Sequence, residues 1–542
     1  MKSPACPIRS TLVGMALMLL GSCGDGASDG DGPARPHLLI IGWDGATFEM
    51  LDPMVRDGNL PNLAKLQKRG ASAVLESTAI PISSAAWTAA MTGVGPGENG
   101  VYGFFEPVPN SYDVRLVDST CNQAPPLWRI LAMRDRSVHV FGVPLTWPPE
   151  PIPGVMVSGM LSPPDGTYTW PGTLAEELRT KGFLPDIGVW HNAELPTRER
   201  VIAQLGLKER AIVRLLEPGD WDAAVIVFKS LDVVSHLVYD GRTDSYVAQV
   251  LERLDEALGK ILAAAGPNTD VLLISDHGFA SYPLNFDLHA WLLEQGFAAP
   301  AADAPERDKD QRGPLVEERP RAQQRRISSL DLTKTMALAG ECEGNFGSIR
   351  LNLAGREPQG TVDPRTREEA LVRIEKRLLE YAPAGTPLVE EVWRGNQLYP
   401  GGAPAVPDLI FRVREDHLVT ANDGAAVLSK FRAPRPDHDR SGVLLAAGPN
   451  IAAESRRRRF SILDVTPTAL HLMGLAVHGE MRGTVRTELA KVARPVVRVP
   501  RSDDGDLQRA DSGHTTDMSR EQAEAAMRRL QTLGYADGVE QK

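Results

Sequence analysis

HLLIIGWDG (residues 37–45) and DVLLISDHG (residues 270–278) are built alike. Each is an apolar run rich in Leu and Ile that ends in an acidic residue and a glycine. A nearly continuous apolar run of this length suits a strand covered on both faces, where both rows of side chains are buried. Val138–Val143, Ala223–Phe228 and Gly442–Ala447 have the same character. Helical patterns separate these runs. Leu60–Arg69 stops at Gly70, and Tyr246–Ala265 carries Val250, Leu251, Leu254, Leu258 and Leu262 at helical spacing. Alternation of buried strands with such helices predicts an α/β fold with a mostly parallel central sheet between helices, an α/β/α sandwich. Ligands of such sheets bind beyond the carboxyl ends of the strands, where Asp44, Asp276 and His277 stand.

Outward from this frame the pattern changes. Between His277 and His438 it reads as a cap inserted at about 280–430. It holds a Pro-, Arg-, Asp- and Gln-rich loop at Ala299–Arg326 and an amphipathic helix at Arg367–Glu380 with Leu371, Ile374 and Leu378 on one face. A second insertion is expected between Phe105 and Leu216. At the start of the chain, Lys2 and Arg9 flank an apolar stretch, Thr11–Leu20, too short to span a bilayer. Leu20-Gly21-Ser22-Cys23 follows and resembles a bacterial lipobox. Residues 1–22 are thus expected to be a lipoprotein signal peptide, with Cys23 the lipidation site and 23–35 a flexible tether. Gly24 after the cysteine matches outer-membrane sorting, so the expected address is the cell envelope, with a membrane attachment through the N-terminal lipid. Residues 36–498 form the main domain. Residues 499–542 read as a linker and a C-terminal helix, with a capping-box-like Ser519 and Gln522 and a stop at Gly534.

Composition narrows the function. Net charge is −11 over 542 residues, which argues against a surface for duplex nucleic acid but leaves room for a small basic pocket. Of the four cysteines, Cys121 and Cys342 remain in the main domain; they can pair or stay as two buried thiols, and no CxxC pattern suggests a thiolate metal site.

Five pieces carry candidate chemistry. Asp44 follows the first strand. Ser83 and Ser84 precede a helical pattern in PISSAAWTAAMTGVGPGENGVYGFF (81–105). Asp232 and His236, four apart, share a face if SLDVVSH is helical. Asp276-His277 ends a strand, and His438 lies just before the last core run. Singly, each has an ordinary structural reading: a turn, a helix cap, a helix-face pair, a core histidine. Their order at the strand ends of one α/β pattern is what distinguishes them.

That order resembles the alkaline phosphatase superfamily, and within it the type I phosphodiesterase/nucleotide pyrophosphatase branch. The resemblance extends over roughly 36–490, including GVPLTWPPEPIPGVMVSGML (142–161), NLAGREPQGTV (352–362) and ILDVTPTALHLMGL (462–475). It implies an alkaline phosphatase-like catalytic domain with two divalent metal ions. One would be held by Asp232, His236 and His438. The other would be held by Asp44, Asp276 and His277, with Ser83 Oγ as a further ligand. Mixed Asp/His ligation suits zinc, with manganese an alternative. The family's nucleophile stands nine residues before the Thr of a Thr-Gly pair; Thr92-Gly93 therefore selects Ser83 over Ser84. The implied activity is hydrolysis of phosphomonoesters or phosphodiesters through a seryl-phosphate-type intermediate, on a small-molecule or lipid-head-group substrate. A phosphotransferase or phosphonate hydrolase on envelope lipids or glycans is the alternative on the same metals, and an inactive binding lipoprotein is the alternative of another class.

The chain also departs from the branch. Gly103, Phe104 and Phe105 stand where nucleotide pyrophosphatases usually carry an Asn, and Asn99 stands where many relatives have His. A formylglycine sulfatase is excluded by Ser83-Ser84-Ala85-Ala86-Trp87, which lacks the required Pro and Arg. The remaining features read as structural: Arg456–Arg459 as a solvated loop, His289 and His417 outside the pattern, Trp87 and Phe104 as core.

Overall fold

The computed structural model describes residues 37–163, 166–185, 197–239, 245–302, 326–421 and 426–500. The expected signal peptide, Cys23, the tether, most of the Ala299–Arg326 loop and the expected C-terminal helix lie outside the described residues.

Nine strands form the central sheet: β1 (His37–Trp43), β2 (Ala71–Glu76), β3 (Val138–Phe141), β4 (Gly154–Val157), β5 (Thr169–Trp170), β6 (Ala223–Phe228), β7 (Thr269–Ile274), β8 (Ser441–Ala447) and β9 (Arg458–Ser461). Their spatial order is β9-β2-β8-β7-β1-β6-β3-β4-β5. The sheet is mostly parallel. β8 runs antiparallel to both β2 and β7, and β5 runs antiparallel to β4.

Strand alternation splits the core in two. Leu39 and Ile41 of β1 face one layer and pack with α1 (Pro61–Lys68), helix Arg198–Leu216 and α4 (Ser245–Ala265). Leu38 and Ile40 face the other and pack with α2 (Ser83–Thr92), Leu127–Ala132 and Val465–Leu472. Burial on both sides is the physical reason these strands carry no polar row, and it makes the molecule the expected α/β/α sandwich.

The expected second insertion is corrected by this sheet. Within Phe105–Leu216 lie β3, β4 and β5, which extend the sheet outward from β6. Short strands joined by turns continue the sheet here.

The 280–430 region holds its own sheet, Ala337–Glu343, Phe346–Leu351, Leu409–Val413 and Val389–Arg394 in that spatial order. Helix Arg367–Leu379 buries Leu371, Ile374 and Leu378 in a separate core with Ile349, Leu351, Leu409 and Phe411. A long antiparallel pair, Gly278–Asp287 with Leu428–Asp439, leads into and out of this region. Its register sets Gly278 against Asp439 and Phe279 against His438. The chain therefore leaves from His277 and delivers His438 back beside it.

Cys121 and Cys342 are free thiols, each partly buried. Burial pushes the Cys121 thiol up to about 11.

Candidate metal centre

Register explains why the site forms. Trp43 of β1 sits beside Phe228 of β6, and Gly42 sits beside Ile274 of β7. The next residues out of these strands, Asp44, Lys229 and Ser275, leave the sheet at one edge. Asp276 and His277 follow on the β7 side. On the β6 side Asp232 and His236 project from α3 (Ser230–Val238), one turn apart.

Ser83 reaches this edge from α2. The helix is capped by Ile82 in an extended conformation (φ −94°, ψ 129°), with no side-chain cap. Ser83 is thus the first helical residue, and its hydroxyl is not used as a cap. Its Oγ lies 3.2 Å from His277 Nε2 and 3.5 Å from Lys229 Nζ. Ser84 Oγ is buried with no hydrogen-bond partner among the described residues. Geometry therefore brings Ser83, not Ser84, to the cluster. The Thr92-Gly93 pair ends the helix: Gly93 takes φ 70°, and a Cβ there would crowd Met481 and Pro467 at 3.1 Å.

All six Asp and His candidates come together. His438 Nε2 is 3.0 Å from His236 Nε2 and 3.3 Å from Asp232 Oδ1, and His236 Nε2 is 3.5 Å from Asp232 Oδ1. His277 Nε2 is 3.4 Å from both Asp44 Oδ1 and Asp276 Oδ2. The two groups are not separate. The His277 ring stacks on His438 at 3.6 Å, and its Nε2 lies 4.0 Å from Asp232 Oδ1. Asp232, His277 and His438 form one compact donor group; Asp44, Asp276 and His277 form another. His277 stands at their junction.

Backbone contacts fix the histidine tautomers. His438 Nδ1 lies 2.7 Å from Pro81 O, and His277 Nδ1 lies 3.1 Å from Gly278 O. A carbonyl only accepts, so each Nδ1 carries the proton and each Nε2 presents a lone pair to the centre. Asp44, Asp232 and Asp276 are fully buried. Among the described residues no side chain donates a hydrogen bond to Asp44 Oδ1 or to either oxygen of Asp276.

Electrostatics follow from burial. Desolvation raises Asp44 to about 6, with Lys229 opposing and Asp232 adding to the rise. Burial and the neighbouring Asp44 hold Asp276 well above the usual carboxylate range. Burial works against Asp232 too, but Lys229 and the histidines overcome it and hold this carboxyl well below that range. Burial lowers His277 to about 4 and also lowers His236 and His438. Three carboxylates, neutral histidines and one lysine leave the cluster negative, with imidazole lone pairs and unmatched carboxylate oxygens converging. Buried anions of this kind need a cation, and an Asp/His set fits divalent metal ions.

Two residues of the site escaped the sequence reading. Lys229 was not singled out, although a lysine between a buried strand and Asp232 was a signal. Trp87 is fully buried core, as expected, but its Nε1 also donates to Asp44 Oδ2 at 2.9 Å. Gly42 makes room for that ring: a Cβ there would lie 2.3 Å from it. Asn99 is structural, donating to Val94 O and accepting from Val101 N. His417 is buried against Asp416, and His289 is buried. In the basic run Arg457 pairs with Asp52, Arg458 with Glu454 and Arg459 with Glu76. Among the described residues no helix is long and apolar enough to cross a membrane.

An α/β/α sandwich with Asp, His and Ser converging at its strand ends defines an alkaline phosphatase-like fold. The profile of the type I phosphodiesterase/nucleotide pyrophosphatase family matches residues 38–440, and the chain belongs to that family of phosphoesterases. Among solved structures it is similar to phosphonoacetate hydrolase from Sinorhizobium meliloti in complex with phosphonoacetate. That likeness has 16% identity and a TM-score of 0.55, over 81% of this chain and 96% of that one. It is also similar to murine ectonucleotide pyrophosphatase/phosphodiesterase 5, an inactive form in complex with AMP, at 11% identity and a TM-score of 0.50, over 83% and 98%. At these identities the likeness is one of fold. No curated protein matches the chain.

Proposed function

We propose that this protein is a metal-dependent hydrolase of small phosphoesters, with Ser83 as nucleophile. The observation that carries the reading is Ser83 Oγ, 3.2 Å from His277 Nε2 at the junction of the two Asp/His groups. Asp232, His236 and His438 would hold one divalent ion, and Asp44, Asp276 and His277 the other; zinc fits best and manganese is acceptable. Bound ions supply Lewis-acid activation of the hydroxyl and charge stabilisation of the leaving oxygen. Ser83 Oγ loses its proton and forms a bond to phosphorus as the ester oxygen leaves and is protonated. Water then forms the new bond to phosphorus and the Oγ–P bond breaks, restoring the serine. The α2 N-terminus directs its free N–H groups and dipole toward the same anion. Trp87 orients Asp44, and the Pro81 and Gly278 carbonyls orient His438 and His277.

Lipidation at Cys23 and attachment to the cell envelope belong to this proposal, and lipid head groups are then within reach as substrates. Palmitate labelling lost in Cys23→Ala tests the anchor.

The test of the reaction uses chromogenic phosphate monoester and diester substrates together with phosphonoacetate, with added alcohol acceptors to reveal transfer. Zinc or manganese is restored after chelation. Metal-dependent turnover that disappears in Ser83→Ala, with metal content retained, supports the proposal. Turnover surviving Ser83→Ala overturns the role of Ser83, and absence of metal uptake supports a binding lipoprotein instead.

A further inference from the structure

Lys229 is an ammonium with 6% side-chain exposure inside a site otherwise made of acids and neutral imidazoles. Burying such a group is costly unless it is paired, so what it pairs with is informative. Its Nζ donates to Asp232 Oδ2 at 2.8 Å and lies 3.9 Å from Asp44 Oδ2. It also lies 3.5 Å from Ser83 Oγ. Asp232 is thereby divided: Oδ2 meets the lysine, while Oδ1 faces His236, His438 and His277. The backbone is equally constrained. Lys229 follows the last residue of β6 and caps α3 with φ −94° and ψ 0°. Sheet register and helix start together fix where its side chain emerges.

We propose that Lys229 is a catalytic residue: a fixed protein cation that holds negative charge on Ser83 Oγ and on the phosphoryl group bound to it. This inference rests on the hydrolase reading above. A phosphoryl oxygen on phosphorus bonded to Oγ falls within hydrogen-bond reach of the same ammonium. The stretch Gly103-Phe104-Phe105 after α2 offers no polar side chain for that purpose. Lys229 supplies charge from the end of β6. Because Nζ is locked between Asp232 and Ser83, it need not reorganise when charge develops, the condition under which such groups act most strongly.

The competing role is purely positional, with Lys229 doing no more than orient Asp232. Lys229→Gln separates the two. A glutamine amide still donates to Asp232 but carries no charge; Lys229→Met removes both, and Lys229→Arg keeps the charge. Three quantities are read for each: metal content by elemental analysis, kcat and KM with metal saturating, and affinity for vanadate by calorimetry. We expect Lys229→Gln and Lys229→Met to keep their metal and KM, to lose about 100-fold in kcat, and to bind vanadate at least about 30-fold more weakly. Lys229→Arg should recover about tenfold of the lost kcat. Lys229→Gln with kcat and vanadate affinity within about threefold of wild type overturns the inference, even if Lys229→Met fails to fold. Ser83→Ala run in parallel keeps the two proposals apart. An active Ser83→Ala protein removes Ser83 as nucleophile, and with it the reading on which this inference rests; an inactive one beside an unimpaired Lys229→Gln removes only the role of Lys229.

Discussion

Asp44→Asn should stabilise the metal-free protein and weaken the metal-bound one. The Asp44 carboxylate is fully buried, and desolvation moves it from 3.8 to about 6 even with Lys229 nearby. At pH 7 its ionisation therefore costs the metal-free fold about 3 kcal/mol. Asparagine removes the charge and keeps the local contacts. Its carbonyl accepts from Trp87 Nε1, now 2.9 Å from Oδ2. Its amide faces the His277 Nε2 lone pair, 3.4 Å from Oδ1. The groups that face Asp44 are thus Lys229, Asp232, Asp276, Trp87, His277 and His438. For a domain of this size 3 kcal/mol corresponds to a melting-temperature rise of roughly 3 °C.

The sign with pH is determined. A carboxyl whose folded value lies above its unfolded value favours the folded state fully below 3.8, and that contribution is lost as pH rises to about 6. The gain in Asp44→Asn is therefore complete at pH 7, shrinks between 6 and 4, and vanishes below. Calorimetric melts of chelated wild type and variant across this range measure it. With saturating zinc or manganese the order should reverse, because wild type keeps a charged ligand. A chelated variant that melts at or below wild type at pH 7, or a gap unchanged at pH 4, refutes the reasoning.

Trp87→Phe deletes the indole donor to Asp44 Oδ2 while preserving most of the buried ring; metal affinity by competition with a chelator should fall about 10- to 100-fold. Gly42→Ala drives a methyl to within 2.3 Å of the Trp87 ring and 2.9 Å of Val227. It should cost about 1–3 kcal/mol in a denaturant titration and lower metal affinity with it. Ser83→Ala should abolish turnover while leaving metal content at the wild-type ratio, checked by elemental analysis. Reductant should leave the melting temperature unchanged, since Cys121 and Cys342 are separate thiols; a drop on reduction shows that they pair in solution.

Legibility in the sequence followed the range of the interactions. Strand positions were readable because burial on both faces forces unbroken apolar runs, as in His37–Trp43 and Ala223–Phe228. The helix at Ser245–Ala265 was readable from its 3.6-residue period. Val138–Phe141 was readable from its apolar run, but the membership of Gly154–Val157 and Thr169–Trp170 in its sheet was not. Strands this short between turns give little period to detect.

The candidate site shows the same division. Residue type and order alone determined that Asp44, Ser83, Asp232, His236, Asp276, His277 and His438 stand at strand or helix ends, and the family pattern followed from that order. Only the tertiary structure decided that His277 joins the two acidic groups and that Lys229 and Trp87 belong to the site. Those facts depend on side-chain direction and on the register between β1, β6 and β7. They also depend on the pairing that returns His438 to His277. Such contacts join residues far apart in the chain and leave no local period. Burial then moved the Asp44 and His277 proton affinities in opposite directions, an effect of the surroundings that a linear sequence does not carry.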